Sequence, residues 1–242
     1  MNASNNKPSQ PPSAERRPNR FTLHGTTLVD DYAWLKDDNW QEVLHDPQLL
    51  QADIRAYLEA ENAYTDSVLG GTAGLQRTLV AEMRGRIKED DSSVPSKDGP
   101  FAYFRKFREG GQHAIFVRTP RDGGAEQTVL DGDALAGKSD YFNFGDASHS
   151  WDHGLEAWSA DTRGSEYFTI RVRDWASGDD LPDVIEQTDG GVVWCKDSRA
   201  FFYVKLDDNH RPMQVYRHRL GTAQADDVLV HEEKDAGWFT HI

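Results

Sequence analysis

A turn-and-strand unit recurs three times in the second half of the chain. Asp98-Gly99 precedes FAYF, Asp152-His153 precedes LEAW, and Asp197-Ser198 precedes AFFY. Each time a later strand closes on a glycine six residues after a valine, in VRTPRDG (117–123), VRDWASG (172–178) and VYRHRLG (215–221). A short β-branched pair follows each one: Val129-Leu130, Val184-Ile185 and Val228-Leu229. The aspartates stand 54 and 45 residues apart, and the glycines 55 and 43. Two independent landmarks thus share one period. Self-similarity at roughly 40–50 residues, with several strands per unit, is the signature of a β-propeller. The aspartate supplies a turn whose side chain bonds nearby amides, and the glycine permits a positive φ. An open antiparallel sandwich uses similar turns, but nothing in it demands the regular period.

The fold class read from this pattern is mainly β: a partial propeller of about three blades, preceded by a helical hairpin. Blades are expected at about 97–140, 141–189 and 190–235, with a further strand beginning at 236–242. A propeller needs at least about four blades to close, so this stretch is expected to be part of a longer design. Ahead of the blades, residues 1–20 are rich in Pro, Asn and Ser and read as a disordered tail. Residues 21–96 hold an extended segment and the hairpin, from about 46 to 88. Asp46-Pro47 is read as the cap and first position of the first helix. Leu50, Ile54, Tyr57 and Leu58 form its apolar stripe, and Gly70-Gly71 ends it. A second stripe, Leu75, Leu79, Met83 and Ile87, follows. Both stripes are expected to be core packing, with no cofactor box.

Against 27 Lys and Arg stand 41 Asp and Glu, a net charge of −14. That balance repels phosphate backbones and argues against nucleic acid as a partner. The lone cysteine, Cys195, excludes an internal disulfide. The first twenty residues lack the apolar segment of a secretory signal, and no run approaches the ~18 apolar residues of a membrane helix. The chain therefore reads as soluble and cytoplasmic, without a membrane partner.

Several long stretches, in order, resemble the prolyl oligopeptidase family, and within it the oligopeptidase B (protease II) branch. They are HGTTLVDDYAWL (24–35), RGRIKEDDSSVP (84–95), GSEYFTIRVRDWASG (164–178), VVWCKDSRAFFYV (192–204) and VYRHRLGT (215–222). The resemblance runs from about Phe21 to Ile242. It implies a seven-bladed propeller joined to an α/β-hydrolase domain that carries a Ser/Asp/His triad. It further implies a propeller that gates access, short peptide substrates, and cleavage after Lys or Arg, with cleavage after Pro as the alternative within the family. A stand-alone β-repeat binding module is the alternative outside it.

The family's nucleophile occupies a G-x-S-x-G elbow. The sequence contains none; Gly145-Asp146-Ala147-Ser148-His149 has the wrong spacing. No catalytic residue is therefore expected in these 242 residues, and this portion alone is expected to be inactive. No metal or cofactor is expected either. His149 and His153 stand four apart in a turn-rich stretch without an acidic partner at matching spacing. Cys195 reads as a small hydrophobe. Residues 88–91 (KEDD) read as a solvated linker, and Arg84, Arg86 and Lys88 as an exposed helix face. The glycines at 70–74 lack the lysine and hydroxyl residue of a phosphate loop.

Overall fold

A computed structural model describes residues 10–242 and divides the chain into two compact units, residues 1–87 and 88–242. Residues 1–9 of the expected tail lie outside the described residues. Among the described residues no helix is long and apolar enough to cross a membrane.

The first unit opens on a hairpin of β1 (Asn19–Leu23) and β2 (Thr26–Asp30). His24 and Gly25 turn it with φ of 50° and 79°, the two-residue pattern that suits the right-handed twist of paired strands. Disorder through residue 20 is corrected here, because Arg17 anchors the approach to β1. Its amide donates to the Asp31 carbonyl (2.9 Å), and its guanidinium lies 4.0 Å from the Trp34 ring centre and bonds Asp53 (2.6 Å).

Three helices follow: α1 (Trp40–His45), α2 (Ala52–Leu69) and α3 (Ala73–Arg84). Asp46 does cap, accepting from the Gln48 amide at 2.9 Å, but it caps a separate 3₁₀ turn, Pro47–Leu49, ahead of α2. The difference arises at Leu50 and Gln51, whose ψ values of 132° and 141° interrupt the helical run. Gly70–Thr72 forms a second 3₁₀ turn in which Gly70 keeps right-handed helical dihedrals, so α2 ends without a left-handed cap. The stripes expected as core are mostly uncovered. Ile54 is buried, whereas Leu58, Leu75, Leu79, Met83 and Ile87 are exposed.

The second unit begins with a four-stranded sheet, β3 (Ser96–Asp98), β4 (Phe101–Lys106), β5 (Ile115–Pro120) and β6 (Gln127–Asp131), each antiparallel to the last. A short helix, α4 (Gly132–Ala136), leads on to β7 (Asn143–His149), β8 (Leu155–Asp161) and β9 (Phe168–Asp174). The fifteen-residue β10 (Asp180–Trp194) comes next, then β11 (Ala200–Leu206), β12 (Pro212–Arg219) and β13 (Val228–Glu232). Strands β7 to β13 hydrogen-bond in sequence order.

β10 serves two blades. Its first part pairs with β9 and its last part with β11, and the register breaks on both sides around Thr188. Gln187 and Gly190 adopt φ of 60° and 93° at the break. A Cβ on Gly190 would fall 2.8 Å from Ser159 Oγ, so this corner has room for glycine only. β10 is thus the outer strand of the second blade and the inner strand of the third. Trp194 Nε1 donates to the Ser148 carbonyl of β7 (2.9 Å), which stitches the inner ends of these two blades together.

Two cores lie between the blades. Ala157, Ile170, Val172, Ile185, Trp194, Phe201 and Tyr203 meet between the second and third. Val129, Leu130, Leu135, Trp158 and Ala160 meet between the first and second, flanked by Phe116, Phe144 and Trp175. On β8 the neighbours Ala157 and Trp158 point to opposite cores, as strand alternation requires. That is why this strand is buried on both faces.

Candidate functional site

One cluster of polar side chains of the second unit converges where the first two blades face each other, and the turn residues explain how they arrive there. The residue after each landmark aspartate has a positive φ: Gly99 at 47°, His153 at 61° and Ser198 at 59°. A left-handed backbone is uncommon outside glycine and costs of order 1 kcal/mol or more. At His153 that conformation carries the imidazole toward the first blade. Gly99 makes room for it, since a Cβ there would lie 2.3 Å from His153 Nε2.

The aspartates themselves divide into two kinds. Asp152 accepts from the Gly154 amide (3.0 Å) and Asp197 from the Arg199 amide (3.0 Å), the expected turn bonds. Asp98 cannot do the same, because two residues on stands Pro100, which has no N–H. Its carboxylate instead accepts from His149 Nε2 at 2.8 Å. This bond holds the Asp98 carboxyl below the usual range. The acidic partner missing from the local sequence around His149 thus comes from 51 residues away.

His149, His153 and Tyr103 form a stack. Tyr103 lies 3.9 Å from His149, nearly parallel, and the two imidazoles are 5.3 Å apart. Tyr103 Oη lies 2.8 Å from His153 Nδ1. Burial, with His149 adding to it, pushes His153 below the ordinary imidazole value. Beside the stack, the buried Arg118 guanidinium is sandwiched between Phe101 and Trp175, 3.8 and 3.7 Å from their ring centres. It donates to the His153 carbonyl (2.5 Å) and to Gln127 (2.8 Å).

Next to this cluster opens a cavity of about 340 Å³, lined by Tyr103, Phe116, Trp175, Asp146, His149 and Glu156 among others. Glu156, on β8, is only 4% exposed. Its Oε2 accepts from Trp175 Nε1 at 3.2 Å. Burial pushes its carboxyl up to about 8, against the opposing pull of that bond and of Arg118.

The residues weighed from sequence fall as follows. His149 and His153 come together, but as a ring stack on a strand end and a turn, and no group of three or more His, Cys, Asp or Glu among the described residues is placed to hold a metal. Cys195 sits one residue past β10, and burial together with Asp197 pushes its thiol up, away from the reactive thiolate. In the 88–91 run, Glu89 accepts from the Gly110 amide (2.9 Å). Arg86 pairs with Glu82 one turn back. Gly70 and Gly71 belong to a helical turn. Sequence reading missed Tyr103, Arg118 and Glu156; for Arg118 and Glu156 the one available signal was a charged residue set within a largely apolar strand.

Comparison with known proteins places this geometry. Residues 11–242 match the family described as "Prolyl oligopeptidase, N-terminal beta-propeller domain". Dipeptidyl aminopeptidase BI of Pseudoxanthomonas mexicana is 34% identical over 96% of this chain, and Protease 2 of Moraxella lacunata 31% identical over 93%. The matches cover 33% and 32% of those proteins, so the chain spans about a third of the length of the curated relatives it matches. The structure of oligopeptidase B from Leishmania major is similar with a TM-score of 0.83 at 26% identity, over 93% of this chain and 33% of that one. A family match over nearly every described residue, carried on sheets in the expected order, leads to one conclusion: the chain belongs to the prolyl oligopeptidase family and represents its N-terminal β-propeller portion.

Proposed function

We propose that this chain supplies the gating portion of a serine oligopeptidase that hydrolyses short peptides after Lys or Arg. The reading rests on the family match over residues 11–242 together with the absence of any G-x-S-x-G from the sequence. Acyl transfer needs a serine activated by a histidine, an aspartate that orients the imidazole, and amides that hold the oxyanion. In this proposal those groups belong to an α/β-hydrolase domain outside these 242 residues, and the blades admit short peptides while excluding folded proteins. The uncovered apolar surfaces support such a partner. Leu75, Leu79 and Met83 on α3, and separately Val228, Leu229 and Val230 on β13, are exposed within this chain. Faces of that kind are typical of surfaces made to be covered.

The test compares the 242-residue chain with the protein at its natural length. Both are treated with a fluorophosphonate probe and assayed on fluorogenic peptides ending in Arg, Lys or Pro before the reporter. The expected result is labelling and cleavage after Arg and Lys at natural length, with neither in the 242-residue chain. Covalent labelling of a serine within residues 1–242 would refute the proposal. A second reading, release of dipeptides from a free N-terminus, is favoured by the relative named a dipeptidyl aminopeptidase. It predicts that blocking the substrate's amino group abolishes cleavage, whereas the first reading predicts no effect.

A further inference from the structure

The geometry points to a binding site for a small organic cation with an alkylammonium head, in the cavity between the first two blades, with Glu156 as the anionic anchor. Three observations converge on it. Glu156 is nine-tenths or more buried and lines the cavity, and its hydrogen bond to Trp175 occupies Oε2, which leaves Oε1 without a protein donor. That oxygen is not sealed within the protein but keeps access to the cavity, so a ligand's N–H can reach it. Tyr103, Phe116 and Trp175 line the walls, with Tyr103 stacked on His149 and Trp175 carrying Arg118, and aromatic rings attract cations. Asp146 adds a second carboxylate at the rim, against one cation in the lining, Arg105.

Arg118 does not fill this role itself. Its guanidinium is committed to the Phe101 and Trp175 rings, to Gln127 and to the His153 carbonyl. At about 340 Å³ the cavity lies near the lower end of ligand sites and suits a ligand of a few heavy atoms. The ammonium comes either from a free amine or from a lysine side chain. Both sources share the same head group.

Binding moves a proton. Burial keeps the empty Glu156 carboxyl largely protonated at neutral pH. When an ammonium arrives, the carboxyl proton leaves to solvent and the carboxylate pairs with the cation, so the charge within the cavity is conserved. The groups facing this exchange are Asp146 and His149 on β7, Tyr103 and Arg105 on β4, Arg118 on β5, and Trp175 after β9.

Calorimetric titration of n-butylamine into the protein at its natural length, at pH 7 in phosphate and in Tris, tests the site independently of peptidase activity. The expected result is saturable one-to-one binding with a buffer-dependent enthalpy, reporting the released proton. Glu156→Gln is expected to weaken binding about tenfold or more and to remove the buffer dependence. Asp146→Asn, at an exposed position, is expected to weaken it roughly two- to fivefold, and it serves as the deciding variant if Glu156→Gln fails to fold. Titration with Nα-acetyl-lysine N-methylamide assigns the source: weaker binding than butylamine indicates free amines, and equal or tighter binding indicates lysine side chains. Absence of saturable binding, unchanged affinity in the deciding variant, or displacement of the amine by acetate would overturn the assignment.

Discussion

The two interfaces between neighbouring blades are built from one backbone plan and filled in opposite ways. Between the second and third blades, Ile170, Val172, Ile185 and Phe201 are all within 1% of complete burial. The polar group buried near them is closed on itself, with His218 held between Asp183 (2.9 Å) and Asp227 (2.7 Å). Between the first and second blades the apolar core is interrupted by a cavity, lined by Tyr103, His149 and Glu156 together with Phe116, Val129 and Trp175 of that core. His153 and Arg118 pack beside it. Apolar packing is non-directional and sums into stability. Buried polar groups gain little net stability, but they are specific about what they face. The contrast gives one interface the greater apolar cohesion and leaves the other with buried polar groups beside a cavity.

The largest test of that contrast is Phe201→Ala. Emptying a fully buried aromatic position is expected to cost about 3–5 kcal/mol, read as a lower midpoint in urea unfolding. A cost no larger than that of truncations at the Tyr103 stack would erase the distinction between the interfaces.

Glu156→Gln sharpens the comparison through pH. The folded carboxyl titrates at about 8, above its ordinary value of 4.5. The folded state therefore holds an extra proton between these values, and stability falls as pH rises through that window, levelling off above about 8. The total loss is on the order of a few kcal/mol. The glutamine variant is expected to lack this slope, as measured by urea midpoints from pH 5 to pH 9. Parallel curves for the two proteins would show that the burial of Glu156 carries no such charge cost.

Tyr103→Phe is the smallest test. It removes the hydroxyl facing His153 and keeps the ring stacked on His149. The hydroxyl also accepts a long bond from Arg118 Nη1 (3.5 Å), and its removal is expected to cost about 0.5–1.5 kcal/mol, below the cost of Phe201→Ala by a clear margin in the same unfolding assay. A cost equal to that of Phe201→Ala would mean that the polar end is as cohesive as the apolar one.

The features legible in sequence were those governed by local dihedral preference. Gly123, Gly178 and Gly221 mark turns because φ values of 99°, 76° and 80° favour residues without a Cβ. Asp152 and Asp197 announce their own turn bonds for the same local reason. The end of the tail was not legible, because Arg17 is anchored by Trp34 and Asp53, and Asp53 lies 36 residues away. The stripes on α2 and α3 were legible as apolar, but apolarity states only that a face is to be covered.

By itself, then, the sequence determined the period, which follows from turn chemistry and from residues close together along the chain, and its long motifs carried the resemblance to the family. Tertiary structure alone decided that Asp98 reaches His149 across two blades, that His153 swings into the space above Gly99, and that Glu156 is enclosed. Hydrogen bonding and access at those groups are set by neighbours 19 to 51 residues distant in sequence, and a one-dimensional pattern carries no distances of that kind.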